Sequence, residues 1–263
     1  DLHKEYRRQR QMCIRDSPMV VQHARQATSQ VWLLCDVGEE MTGGCASGEP
    51  AYAVAGNALR MFAALSLRRS DDVSLVFADA HSITRMPFNG GFAQFERTLD
   101  DALRRDWSYG RNIDALLDYA RRIRDRQALI VLATDELALR KRHIDVIGAI
   151  AATHPVVLIT VATANPFDPS EAAREWYDGK SGRRIPALLR NAKAAEEVAL
   201  HRRYVCAALE HELAKRGSRM IRAASSDMMF DAFVRLVSRS LGRSIRNQLR
   251  VPPSLNLTSE VPA

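Results

Sequence analysis

Four residues of this chain are of the types that gather oxygen ligands around an ion: Asp36, Glu40, Asn112 and Asp135. Asp36 and Asp135 each follow an apolar run, residues 31–34 and 128–133, of the kind that forms a strand buried on both faces. Asn112 and Glu40 sit in loops on the same side of such strands. Oxygen donors converging from several loops are what a hard cation such as Mg²⁺ or Mn²⁺ requires, with waters completing its shell. Without a cation the same acids repel one another, and at least one carboxyl pKa must rise unless a basic group such as Arg111 compensates. Gly38, Glu39, Arg111 and Glu136 share these loops and are candidates for touching a partner.

The elements that would position these groups alternate along the chain. Strands are expected at 31–34, 73–77, 128–133, 156–162 and 218–223, with 82–88 as an antiparallel edge. Helices are expected at 50–67, 92–105, 112–126, 142–153 and 192–216, the last stopped by Gly217. Asn112 has the side chain to cap the third of these. A final amphipathic helix opens at Ser226 or Asp227, and residues 176–188 read as a small hairpin. Strands alternating with helices predict an α/β fold with a mainly parallel sheet covered on both faces. In such sheets ligands bind at the carboxyl ends of the strands, which is where Asp36, the 109–112 loop and Asp135 fall. Residues 18–242 are expected to form the domain. Residues 1–17 have no period and read as a disordered or artefactual segment, or as a basic tail. The proline-containing stretch 243–263 reads as a flexible tail.

The bulk composition narrows the function classes. At 263 residues and 46% hydrophobic content the chain has enough apolar material for a sizeable core. No apolar run approaches the about 20 residues of a membrane-spanning helix. The net charge of +7 comes from arginines spread over helices, as at Arg104–Arg105, Arg121–Arg122 and 140–142. No aromatic residues interleave with them and no nucleic-acid motif is present, so a solvated helix surface is the expected role. Cys13, Cys35, Cys45 and Cys206 form neither a Cys-x-x-Cys pair nor a zinc spacing, and reduced thiols in the cytoplasm are expected. There is no Gly-x-Ser-x-Gly, no His-Glu-x-x-His and no phosphate-binding loop. His154 reads as a loop or edge residue. Trp32, Trp107 and Trp176 read as packing residues, with Trp107 the one nearest the loops.

The ordered set of segments resembles the von Willebrand factor A fold, and more closely the bacterial family called domain of unknown function 58. The matching stretches are Val-Trp-Leu-Leu-Cys-Asp36-Val-Gly-Glu-Glu40-Met, the strand from Val73 to Asp79, and Gly110-Arg-Asn112-Ile-Asp114. Val131-Leu-Ala-Thr-Asp135 and the strand after His154, with its Asn165-Pro-Phe-Asp-Pro169 sequel, complete the set. The family's metal loop reads Asp-x-Ser-x-Ser. Asp36 and Asp135 match its two aspartates. Gly38 and Glu40 replace the serines, and Asn112 replaces the threonine of the next loop. The resemblance therefore implies a Rossmann-type von Willebrand A domain whose metal-ion-dependent adhesion site is degenerate, with Mg²⁺ or Mn²⁺ held by Asp36, Glu40, Asn112 and Asp135 or not held at all.

The same resemblance implies a non-enzymatic interaction module, an adaptor working with a MoxR-type AAA+ ATPase in client activation or assembly, with no catalytic residues. Two other classes compete. A metal-dependent hydrolase would use Asp36, Glu40 and Asp135, and its signature is metal-dependent turnover. A nucleic-acid binder would use the arginine-rich helices, and its signature is affinity falling steeply with salt.

Overall fold

The computed structural model describes residues 29–86, 90–169, 175–178 and 181–248, with backbone alone at 187 and 240–248. The expectations for residues 1–17 and for the tail beyond 248 lie outside them. The elements are, in order, β1 (Gln30–Asp36), α1 (Ala51–Arg68), β2 (Asp72–Ala78), β3 (Ile83–Met86), α2 (Phe92–Leu103), α3 (Ile113–Arg121) and β4 (Leu129–Asp135). They continue with α4 (Lys141–Ala151), β5 (Val156–Val161), α5 (Ala192–Lys215), β6 (Arg219–Ala223) and α6 (Ser226–Gln248). The six strands form one sheet in the order β3-β2-β1-β4-β5-β6. Every pairing is parallel except β2 with β3.

The expected sandwich of sheet between helices is what forms, and the strand alternation shows why. Val31, Leu33 and Cys35 point into a core layer shared with Val54, Leu59 and Phe62 of α1 and Phe95 and Leu99 of α2. Leu34 points the other way, into a layer with Leu116 and Leu117 of α3, Ile147 of α4 and Leu209 of α5. A strand buried on both faces must be apolar throughout, which is the pattern the central strands carry. Each fully buried leucine of these layers contributes roughly 1.5–3 kcal/mol of transfer free energy.

Several boundaries differ from those expected, each for a local reason. α3 ends at Arg121, not near residue 126, because Asp125 opens a turn in which its carboxylate accepts the amide of Gln127 at 2.9 Å. α6 is capped by Ser225, whose hydroxyl accepts the amide of Met228 at 3.2 Å, one residue before the expected caps. The same helix passes through Gly242 and reaches Gln248 instead of giving way to a tail. A single helical glycine costs about 1 kcal/mol, less than is needed to end a long amphipathic helix. Of the expected hairpin, the described part is an antiparallel bridge between Tyr177 and Arg184. No helix among the described residues is long and apolar enough to cross a membrane.

Candidate functional site at the carboxyl edge of the sheet

The strand register assembles the site. Cys35 pairs with Ala133, so Asp36 comes level with Thr134 at the ends of β1 and β4. The Asp36 carboxylate accepts the Thr134 hydroxyl at 2.8 Å and the Gly38 amide at 3.0 Å. Beyond β1 the chain makes a single 3₁₀ turn, Glu39–Thr42. The 109–112 loop is stitched to it from the other side. Glu39 donates its amide to the Tyr109 carbonyl at 2.7 Å, and Ala80 donates to the Gly110 carbonyl at 2.7 Å. These bonds bring Arg111 directly over Gly38. A Cβ at residue 38 would lie 2.5 Å from the backbone nitrogen and Cα of Arg111 and 2.5 Å from its Cβ, so only glycine fits there.

Arg111 is the centre of the constellation. Its guanidinium forms a two-armed pair with Asp135, Nη1 donating to Oδ1 at 3.0 Å and Nη2 donating to Oδ2. Its Nε lies 3.5 Å from Glu40 Oε2 and 3.8 Å from Asp36 Oδ2. Its backbone amide also donates to Glu40 Oε2, at 2.8 Å. The Arg111 side chain is 13% exposed, Asp36 and Asp135 2% and Glu40 30%. Burial works against the guanidinium's charge, but the Asp135 hydrogen bonds and the charges of Asp135, Asp36 and Glu40 outweigh it and raise its pKa. Burial pushes the Asp36 carboxyl up from its ordinary 3.8, opposed by Arg111, the Gly38 amide and the Thr134 hydroxyl. Asp135 also accepts the amides of Leu137 and Ala138 at 2.6 and 2.9 Å, which pins the turn after β4.

The donor set does not fit a divalent cation. Gly38 has no side-chain oxygen to offer. Asn112 uses its side-chain oxygen to cap α3, accepting the Ala115 amide at 3.0 Å. The space shared by Asp36, Glu40 and Asp135 is taken by the Arg111 guanidinium. Among the described residues no group of three or more His, Cys, Asp or Glu is arranged to hold a metal ion.

The remaining loop residues divide. Glu39 and Glu40 line a cleft of about 1090 Å³ over the sheet edge, together with Arg111, Asn112 and Asp135. Glu136, expected on that edge, is only 4% exposed and turns inward. It is gripped by Arg202 of α5 at 3.0 Å and Arg222 of β6 at 2.7 Å. Trp107 stacks on Tyr52 at a centroid distance of 4.7 Å and packs against the first core layer.

Sequence reasoning missed the far wall of the cleft, where His143 and Asp114 meet. His143 is 1% exposed. Its Nδ1 accepts the Arg140 amide at 3.0 Å, which leaves Nε2 to face Asp114 at 3.1 Å. Arg142 reaches the same carboxylate at 2.6 Å. Burial pulls the His143 pKa below its ordinary 6.5 and Arg142 adds to that, against Asp114. The only sequence signal was a histidine three residues after the helix N-cap, Arg140, where it closes a cap. His154 is buried as well, bonded to the Ile123 carbonyl at 3.1 Å.

The other arginine runs are partly paired. Arg105 bonds Asp79 at 2.5 Å, Arg104 lies 3.6 Å from Asp101 and Arg121 3.4 Å from Asp118.

Comparison with known proteins gives the following. The family described as "Protein of unknown function DUF58" matches residues 12–172, more than half of the chain. No curated protein matches it. Among solved structures, an aerotolerance-related membrane protein from Bacteroides fragilis, in a form with multiple mutations to serines, is 13% identical. The match covers 80% of this chain and 99% of that one, with a TM-score of 0.50. The SpRpn10 VWA domain is 10% identical, over 78% of this chain and 94% of that one, with a TM-score of 0.42.

Proposed function

The chain belongs to the DUF58 family of unknown function, and on that premise we propose that this domain is a non-enzymatic protein-interaction module. In this reading it is an adaptor for a MoxR-type AAA+ ATPase in the activation or assembly of client proteins. One observation carries it: three carboxylates surround a single guanidinium at the mouth of a cleft. The edge therefore keeps an acidic surplus, locked in place before any partner arrives. A preorganised surface loses less conformational freedom on binding. Glu40 is the reachable acid, with Glu39 beside it and Leu137, 50% exposed, as an apolar neighbour. A partner arginine or lysine meeting Glu40 makes a charge-assisted bond.

Because a tethered guanidinium stands where a cation would, docking in this picture needs neither Mg²⁺ nor Mn²⁺. The hydrolase alternative would require a metal among carboxylates that Arg111 already joins. The nucleic-acid alternative is weakened by the ion pairs that occupy many of the helix arginines. We place the domain in the cytoplasm, where the free thiols of Cys35, Cys45 and Cys206 stay reduced.

The test is capture of the purified MoxR-type ATPase by the full chain, with and without a chelator during the binding step. Capture is expected to survive the chelator and to drop roughly tenfold in the Glu39→Lys/Glu40→Lys variant. No capture, or equal capture by the variant, overturns the reading.

A further inference from the structure

At the far end of the sheet from β3, strand β6 pairs with β5 alone among the described residues. In a parallel ladder a residue directs its N–H and C=O to one side, and its neighbours direct theirs to the other. Ala223 gives its carbonyl to the Ala162 amide at 2.8 Å, so Arg219, Ile221 and Ala223 face β5. The amides and carbonyls of Met220 and Arg222 therefore point outward, along the open edge of the sheet. That edge is the floor of a groove of about 640 Å³ between α5 and α6. Ala214 and Leu236 supply apolar wall, and four arginines line it: Arg219, Arg222, Arg235 and Arg239. Glu210 is the only acid of the lining among the described residues. Among the described residues Arg219, Arg235 and Arg239 form no ion pair, whereas Arg222 commits its Nε to Glu136.

An unpaired strand edge is a template for another strand, and the side chains around it decide which strand is accepted. A second copy of this chain is a poor occupant, since pairing β6 with β6 would bring the arginines of the two edges together. We propose that the β6 edge binds an acidic, extended segment of a partner protein, which adds to the sheet as one more strand. The outward groups of Met220 and Arg222 supply the ladder bonds. Arg219, Arg235 and Arg239 pair with carboxylates on alternate residues of the segment. At about 3.3 Å per residue, the five residues of β6 match a segment of comparable length.

The probe is a fluorescein-labelled acetylated peptide of three Val-Glu repeats, titrated by anisotropy against the full chain in about 0.15 M salt, where exposed charges are well screened. The expected result is saturable binding that is lost when every glutamate is lysine. Binding is also lost when alternate backbone amides of the peptide are N-methylated in the register that faces β6. Arg235→Glu/Arg239→Glu, two exposed helix positions that leave the core untouched, should weaken it roughly tenfold. Amide exchange at Met220 and Arg222 should slow in the complex. No saturable binding overturns the proposal. So does equal affinity for both N-methylated registers and the parent peptide, which would leave charge alone as the cause. Protection that appears at the Glu40 loop instead of at β6 overturns it as well.

Discussion

Asp135 and Glu136 are neighbours in sequence, and each is held by arginine, yet the two clusters they anchor are built oppositely. On the Asp135 side three acids share one guanidinium, and Glu40 remains partly open to the cleft. On the Glu136 side two guanidiniums share one fully buried acid, and Arg202 also donates to the Thr163 and Ala164 carbonyls at 2.7 and 3.4 Å. The Glu136 cluster ties β4 to α5 and β6, which follow the span matched by the family. The Asp135 cluster ties loops to one another and leaves charge over. A buried cluster whose charges are all paired holds elements together, whereas a cluster with acids to spare at a sheet edge leaves charge open to the cleft.

That contrast is broken most directly by deleting one member from each cluster. Glu136→Ala strands the buried Arg202 beside a part-buried Arg222, and breaking a buried pair typically costs about 3–5 kcal/mol. Arg111→Ala should cost roughly 2–3 kcal/mol, less because Glu40 can turn to water and Asp36 can take up a proton. Urea unfolding of the two variants beside the parent measures both. A larger loss for Arg111→Ala would reverse the roles assigned to the clusters.

The next prediction concerns the contact that lets Arg111 in. Gly38→Ala should lose about 1–3 kcal/mol, since the added methyl meets Arg111 backbone. Because the obstacle is the backbone and Cβ of residue 111 and not its guanidinium, the penalty should persist in the Arg111→Ala background. If the double variant recovers the loss, the long side chain and not the loop path makes glycine necessary.

The smallest effect is in the pH profile. Burial raises the folded-state pKa of Asp36 above 3.8, so above that pH the folded state binds more protons than the unfolded one. Stability tied to this group is fully present below 3.8 and declines as pH rises through the higher folded value. Asp36→Asn removes the decline and keeps an oxygen for one of the two donors, Gly38 or Thr134. The variant should therefore compare better with the parent at pH 7 than at pH 4 in urea unfolding. An equal difference at both pH values would mean that Asp36 does not titrate with folding.

The strands, most of the helices and the acid-bearing edge were legible because they depend on local pattern. Leu33 and Leu34 announce a strand with two buried faces, and Asn112 announces a helix start and provides one. The same cap shows the limit of the reading: the Asn112 oxygen turns to the Ala115 amide, while the space among the acids is filled by Arg111. The placing of Glu39, Glu40 and Arg111 at the edge was nearly readable, since the first two follow β1 and the third directly precedes the N-cap of α3. Glu136 was not, because its partners lie 66 and 86 residues further on. His143 and Asp114, 29 residues apart, meet only when α4 packs beside α3.

The amino-acid order by itself determined the α/β alternation, the two apolar faces of the central strands and the placing of Asp36 and Asp135 at strand ends. These follow from periodicity and from side-chain chemistry, which act over a few residues. Only the tertiary structure decided that Arg111 fills the space among the acids, that Glu136 turns inward, and that β6 is left with an open, arginine-lined edge. Those outcomes depend on strand register and on which distant element packs where. Charges far apart in sequence meet or miss by a few ångströms, and at that distance burial, not composition, sets what they do.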